Sequence, residues 1–258
     1  MIETYERSIP LLGNAIEKVR FAFEGIELVG LLSKPAGVDK PPVVILIPGL
    51  DSTKEGRHSG RAGFLARGMA VFSIDGPGQG EMSFTTHIRP DFEAPISAAI
   101  DYLETRDDVD PARVGVVGSS LGGYYAPRAA AFEKRIKACV AISGVFAQAS
   151  RGRQVMAPTR EAYIHYLGAK DDEEATALKS RLSLEGVAQH ITCPLLIIGG
   201  KQDPLVHWEN QQKLHDEASG PTELHIFDEG NHSCQNIPHK VMPLQYVFLT
   251  KHLVEGAR

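Results

Sequence analysis

The chain has 258 residues, of which 43% are hydrophobic and 23% charged, and its formal net charge is −5. This composition is typical of a globular protein with one large domain or two small ones, and the negative charge argues against nucleic acid as the main partner. No apolar run approaches the roughly 18 residues that a membrane-spanning helix needs. The polar, acidic first residues do not resemble a signal peptide, so we expect a cytoplasmic protein that does not bind membranes.

The three cysteines, Cys139, Cys193 and Cys234, are too few and too scattered to form a disulfide framework, although a pairing of two of them stays open. They are not at metal-ligand spacing, and no histidine pair lies on one helical face. We therefore predict no metal and no organic cofactor. The sequence does not determine the oligomeric state and leaves a homodimer open.

Short apolar, β-branched runs alternate along the chain with longer segments of helical periodicity. Two leading runs flank Gly25 and predict an antiparallel pair with a tight turn. The middle runs are almost continuously apolar, as strands buried on both faces of a parallel sheet are. The predicted strands are residues 19–24, 27–32, 43–47, 70–74, 114–117, 138–142, 195–198 and 223–227.

Helical patterns lie between these strands, at residues 60–67, 92–105, 125–132, 209–218 and 238–254. Two antiparallel strands followed by strand–helix repeats indicate an α/β fold with a mostly parallel, doubly wound sheet of eight strands. With no internal repeat or linker, we interpret residues 1–258 as a single domain.

One connection is much longer than the others. Roughly 50 residues separate the strand that ends near Ile142 from the strand that begins at Leu195, far more than an ordinary connection. Helical patterns at 159–167 and 173–181 lie within it. Because this insertion, at about residues 145–190, leaves the carboxyl side of the sheet, we expect it to cover the site there as a cap.

The strand at 114–117 runs into Gly-Ser-Ser-Leu-Gly at residues 118–122 and then into an alanine-rich helix. Strand, Gly-x-Ser-x-Gly and helix in that order predict a nucleophile elbow, where a serine occupies a sharp and strained turn. Gly118 and Gly122 allow the neighbouring segments to approach closely. Ser120 is therefore the predicted nucleophile of a serine hydrolase.

A serine nucleophile needs a histidine base and a carboxylate that orients it, and in an elbow-type fold the chain order is Ser, acid, His. Asp203 comes just after the strand at 195–198, and His232 lies on the loop after the last strand. The carboxyl ends of these strands share the edge of the sheet where the elbow lies, and ligands bind at that edge. We predict that Ser120, His232 and Asp203 form a catalytic triad.

Other acids and histidines are weaker candidates. Asp228 and Glu229 belong to the loop that must present His232, and His225 lies inside a predicted strand. The remaining histidines lack a strand-end loop in the right order: His58, His87, His165, His190, His207, His215, His239 and His252.

An oxyanion hole needs two backbone amides that point at the developing negative charge. One should belong to Leu121, directly after the nucleophile. The other should come from the loop after the strand at 43–47, where we assign it to Leu50, with Asp51 as the alternative.

The glycine-rich stretch Asp-Gly-Pro-Gly-Gln-Gly-Glu at residues 75–81 could suggest a phosphate loop. It lacks the Gly-Lys-Ser/Thr signature, and Pro77 has no backbone amide to donate a hydrogen bond to a phosphate. We interpret it as a tight turn at a strand end.

From about Val19 onward the chain resembles the α/β-hydrolases. The motifs at 49–55, 75–81 and 118–124 resemble those of the dihydroxypseudooxynicotine hydrolase group, and fungal polyketide-shortening hydrolases are similar. The resemblance implies an α/β-hydrolase fold, and those relatives cleave a carbon–carbon bond next to a ketone. The resemblance implies an N-terminal helical domain and an extra carboxylate in the cap, as in those relatives, whereas this chain has no acidic residue from Ser143 to Arg160.

Three functions follow as hypotheses. The first is hydrolysis of a carboxylic ester of a small organic molecule, through an acyl-enzyme on Ser120. The second is hydrolysis of a carbon–carbon bond in an aryl ketone or β-diketone by the same residues. The third is a ligand-binding protein on a hydrolase scaffold, without turnover. Candidates for contacting substrate are Asp51, Tyr124, Arg151 and Arg153, the arginines through a carboxylate or other anion.

Overall fold

The computed structural model describes residues 2–11, 16–147 and 157–256, without the side chains of residues 57–59. One eight-stranded sheet forms its centre. The strands are β1 (Ile16–Phe23), β2 (Ile26–Ser33), β3 (Pro42–Ile47), β4 (Ala70–Asp75), β5 (Asp110–Ser119), β6 (Ile136–Ile142), β7 (Leu195–Gly200) and β8 (Thr222–Phe227).

The strands lie in the order β1-β2-β4-β3-β5-β6-β7-β8. β1 pairs antiparallel with β2 across the turn at Gly25, and β2 pairs antiparallel with β4. All other pairings are parallel. The predicted fold is thereby confirmed, and the six parallel strands direct their carboxyl ends to one edge.

Helices cover both faces of the sheet. Their bounds are α1 (Ile2–Ser8), α2 (His58–Leu65), α3 (Glu93–Glu104), α4 (Leu121–Phe132), α5 (Ala157–Leu167), α6 (Asp172–Lys179), α7 (Glu209–Glu217) and α8 (Pro238–Leu249), which continues as a π-helical turn over Thr250–Glu255. The sequence did not indicate α1, because this short helix buries no residue and so lacks an apolar stripe. Of the helices in the described residues, none is both long and apolar enough to span a membrane.

The core has two halves, one on each face of the sheet. Residues of α3, α4 and α7 pack against one face, where Phe92 and Tyr125 stack with their ring centroids 3.8 Å apart. Residues of α2 and α8 cover the other face, where Phe64 meets the edge of Tyr246. Cys139, Cys193 and Cys234 are free thiols.

The long connection between β6 and β7 contains α5 and α6, close to the predicted helices. A backbone hydrogen bond from the amide of Ile88 to the carbonyl of Tyr166, 2.8 Å long, joins α5 to the segment that precedes α3. The insertion is therefore attached to the body of the protein.

The turn between β5 and α4 is sharp, because a single residue, Ser120, separates the strand from the helix at the carboxyl edge of the sheet. Ser120 has φ 58° and ψ −121°, and α4 begins at the next residue. A Cβ atom on Gly118 would lie 1.9 Å from the carbonyl oxygen of Gly122, so no side chain fits there. The predicted elbow geometry thus rests on a backbone that serine adopts only under strain.

We predict that Ser120→Gly is more stable than Ser120→Ala by about 1 kcal/mol, because glycine tolerates a positive φ and alanine does not. Both variants lack the hydroxyl, so the comparison isolates the backbone. Urea denaturation at neutral pH measures both free energies of unfolding. An alanine variant as stable as the glycine variant would show that the backbone at residue 120 is not strained.

We also predict that Phe92→Ala lowers the free energy of unfolding by about 3–5 kcal/mol, because it removes a fully buried ring. Phe84→Ala is the matched control, since that side chain is 81% exposed. We expect the control to change stability by less than about 0.5 kcal/mol. A loss at Phe92 no larger than that at Phe84 would refute this account of the core.

Candidate active site

Three segments that are far apart in the sequence meet at the carboxyl edge of the sheet. Ser120 follows β5, Asp203 lies three residues after the end of β7, and His232 lies five residues after the end of β8. The structure therefore brings together Ser120, predicted from the Gly-x-Ser-x-Gly motif, and Asp203 and His232, predicted from their positions after strands.

The side chains of these residues are within hydrogen-bonding distance of one another. His232 Nε2 lies 2.8 Å from Ser120 Oγ, and His232 Nδ1 lies 2.8 Å from Asp203 Oδ2 and 3.0 Å from Asp203 Oδ1. The imidazole is 20% exposed, whereas the carboxylate is 1% exposed. In this arrangement the histidine can take a proton from the serine while the carboxylate orients the ring.

Asp203 is held in its charged form by its neighbours. Its Oδ1 accepts hydrogen bonds from the amides of Leu205 (2.8 Å) and Val206 (2.9 Å), besides its contact with His232. Burial by itself would raise the pKa of Asp203, but the hydrogen bonds from His232 and these amides outweigh it and hold the pKa below its usual value. Asp203 is thus a carboxylate at neutral pH.

The loop that carries His232 is fixed by neighbouring loops. The amide of Ser233 donates to Ser143 Oγ (3.0 Å), directly after β6, and the amide of Gln202 donates to the carbonyl of Gly230 (2.9 Å). Sequence reasoning did not identify Ser143. A sequence signal was available, because Ser143 directly follows the predicted strand at 138–142, whose carboxyl end lies at the same edge as Ser120; in the structure its side chain is wholly buried.

The predicted oxyanion residues lie on both sides of Ser120. Leu121 is the first residue of α4, and the first amides of a helix have no acceptor within it. A Cβ atom on Gly49 would lie 3.2 Å from Ser120 Cβ, so the loop after β3 packs directly against the serine. Leu50 is buried within that loop, whereas Asp51 is exposed.

The other substrate-contact candidates differ in their surroundings. Tyr124 is completely buried, and its hydroxyl donates to the carbonyl of Pro90 (2.9 Å), so in this structure it packs inside the protein. Burial raises its pKa to about 12. Arg151 and Arg153 lie outside the described residues.

The competing acids lie on the surface and pair with lysines. Asp228 Oδ1 lies 2.7 Å from Lys201 Nζ, and Glu229 pairs with Lys240. Among the side chains that the structure describes, which exclude those of residues 57–59, no group of three or more His, Cys, Asp or Glu is arranged to hold a metal ion.

The chain is similar to known hydrolases. It is 33% identical over 240 residues to "2,6-dihydropseudooxynicotine hydrolase" of Paenarthrobacter nicotinovorans, which covers 92% of this chain and 64% of that protein. It is 31% identical to "Hydrolase LUC6" of Fusarium sp in an alignment that covers 87% of this chain and 65% of that protein. The chain therefore spans less than two thirds of the length of these relatives.

A solved structure of the 2,6-dihydroxy-pseudo-oxynicotine hydrolase superposes with a TM-score of 0.92 at 30% identity, over 99% of this chain and 73% of that one. The sequence profile of the prolyl oligopeptidase family matches residues 58–255, which include all three residues of the candidate site. The chain thus belongs to the prolyl oligopeptidase family and is an α/β-hydrolase.

Proposed function

We propose that this protein is a serine hydrolase in which Ser120, His232 and Asp203 act as a catalytic triad on an ester of a small organic molecule. The observation that carries the proposal is the continuous pair of contacts from Ser120 Oγ through His232 to Asp203, each 2.8 Å long. The serine and histidine are 112 residues apart in sequence, so local chain geometry does not account for their contact.

The proposed reaction has two halves. Ser120 Oγ attacks the acyl carbonyl carbon while His232 Nε2 accepts its proton, and the histidine then donates this proton to the departing alcohol. A water molecule, deprotonated by His232, attacks the resulting acyl-enzyme and releases the acid. Asp203 stays ionised throughout and stabilises the imidazolium.

In the proposed site the amides of Leu121 and Leu50 hydrogen-bond the carbonyl oxygen as it becomes negative. The position of Leu121 at the start of α4 supports its role, since the partial positive charge of a helix N-terminus also favours an anion there. The close packing of Gly49 on Ser120 supports the role of Leu50. We further propose that the insertion at residues 145–190 acts as a cap over this site.

The second candidate is hydrolysis of a carbon–carbon bond next to a ketone. It is favoured by the similarity, with a TM-score of 0.92, to 2,6-dihydroxy-pseudo-oxynicotine hydrolase. Ser120 Oγ would attack the ketone while His232 accepts its proton, and the carbon–carbon bond would break to release a stabilised carbanion that takes up this proton. Water would then hydrolyse the remaining acyl-enzyme. The lack of an acidic residue from Ser143 to Arg160 favours the ester, because the sequence provides no carboxylate there to assist such a leaving group.

We predict that a fluorophosphonate probe labels Ser120 of the wild-type protein covalently at neutral pH, because His232 activates the hydroxyl. Ser120→Ala should abolish the adduct, and Asp203→Asn should lower kcat for nitrophenyl esters by on the order of 10⁴-fold. Mass spectrometry of peptides locates the adduct. Ser180→Ala, which changes an exposed serine directly after α6, is the control and should label normally. A folded wild-type protein without an adduct would instead favour a ligand-binding protein without turnover.

We predict that nitrophenyl acyl esters are turned over faster than aryl β-diketones when both are offered to the same preparation. Release of nitrophenolate and loss of diketone absorbance measure the two rates. Strong turnover of the diketones alone would replace the ester hypothesis by carbon–carbon hydrolysis. Loss of both activities in Ser120→Ala excludes a contaminating enzyme.

A further inference from the structure

Lys54 ends the loop that follows β3 (residues 48–54, the β3 loop), and its side chain is only 1% exposed. Its Nζ lies 2.8 Å from Asp75 Oδ2, 2.8 Å from Glu55 Oε1 and 3.0 Å from Glu81 Oε2. Burial disfavours the charged ammonium, but the carboxylates of Asp75 and Glu55 outweigh this effect and raise the pKa of Lys54. Lys54 is therefore a buried cation fixed by three carboxylates.

Asp75, the last residue of β4, is the centre of this group and is completely buried. It accepts hydrogen bonds from the backbone amide of Lys54 (2.7 Å), from Lys54 Nζ (2.8 Å) and from the amide of Glu81 (3.0 Å). The carboxylate thus binds the backbone of the β3 loop as well as a side chain, so it fixes the position of the loop's far end.

Gln79 binds the other end of the same loop. This glutamine is also completely buried, and its Nε2 donates to the carbonyl of Pro48 (2.7 Å), the first residue after β3. Its Oε1 accepts from the amide of Gly76 (3.3 Å), which fixes the orientation of the side-chain amide. The segment at 75–81 therefore holds the β3 loop at both of its ends.

Between these two attachments lie Gly49, which packs on Ser120, and Leu50, the proposed oxyanion donor. Such a donor contributes to catalysis only when it is already positioned where charge develops, since moving it during the reaction would cost the energy it supplies. A loop fixed at both ends by buried groups meets this requirement without any contact between those groups and substrate.

We propose that Gln79 and Asp75 are positioning residues that hold the amide of Leu50 in the oxyanion hole, a role that rests on the proposed function. The glycine-rich motif at 75–81 forms a turn, and by holding the β3 loop in place it also helps to stabilise the oxyanion of the transition state. A role in fold stability alone would lower the amount of active protein without changing how the site discriminates between substrates.

The test compares 4-nitrophenyl acetate with its thionoester, in which sulfur replaces the carbonyl oxygen. Sulfur accepts hydrogen bonds weakly, so a formed oxyanion hole favours the oxygen ester. For Gln79→Met, which keeps the volume and removes the side-chain hydrogen bonds to Pro48, Gly49 and Gly76, we expect kcat for the ester to fall about 10- to 100-fold, with KM within about two-fold of wild type. The ratio of ester to thionoester turnover should fall about ten-fold.

Gln211→Met is the matched control, because Gln211 is also a buried glutamine whose Nε2 donates to a backbone carbonyl, that of Gly144 (2.7 Å). This hydrogen bond goes to the segment after β6 and not to the β3 loop, so Gln211→Met should lower stability while keeping the wild-type ratio of ester to thionoester turnover. Thermal melting shows that each variant is folded at the assay temperature. If Gln79→Met does not fold, Gln79→Asn, which keeps the amide but shortens its reach, is measured instead.

An unchanged ester-to-thionoester ratio in the folded Gln79 variant, with an active wild-type protein, would overturn the positioning role. A wild-type protein that turns over neither substrate would overturn the proposed function itself, and the positioning role with it. A ratio that falls equally in the Gln211 control would assign the effect to general loosening of the site and would also overturn the proposal.

Discussion

The candidate site depends on one steric constraint, the contact between the backbones of Gly118 and Gly122 on either side of Ser120. A Cβ atom on Gly118 would lie 1.9 Å from the carbonyl oxygen of Gly122, and a Cβ atom on Gly122 would lie 2.5 Å from the carbonyl oxygen of Ile47. The chain can therefore pass from β5 into α4 with a single residue between them only because neither position has a side chain. Ser120 takes up the strain of this turn with φ 58°. Its hydroxyl thereby lies at the strand edge, next to the amide of Leu121.

Buried carboxylates organise the loops around that serine by the same physical means. Asp203 and Asp75 both lie at or just after the carboxyl end of a strand, are at most 6% exposed, and accept hydrogen bonds from backbone amides. Leaving such a charge without partners in the interior would be costly, so each carboxylate imposes one arrangement on the loop that it binds. One of these loops orients His232, and the other carries Leu50.

The sequence predicted the fold and the three residues of the candidate site because both depend on local patterns. Apolar runs marked the strands, and parallel strands necessarily end at one edge, so residues after β7 and β8 had to lie near the elbow. The segment at 75–81 was interpreted only as a turn, because its partners Pro48 and Lys54 lie about 20–30 residues earlier, on a different strand end. Tyr124 was a candidate for contacting substrate, and only packing revealed its bond to Pro90.

By itself, the sequence determined the succession of the eight strands along the chain, the helices between them except α1, the sharp turn at Ser120 and the acid and base candidates, since each follows from residue type and spacing along the chain. Only the tertiary structure decided which buried polar groups meet. Lys54 with Asp75, Gln79 with Pro48 and Ser143 with Ser233 are pairs whose partners come from different strand ends. Hydrogen bonding and charge burial depend on distances of a few ångströms in space, and no periodicity along the chain encodes them.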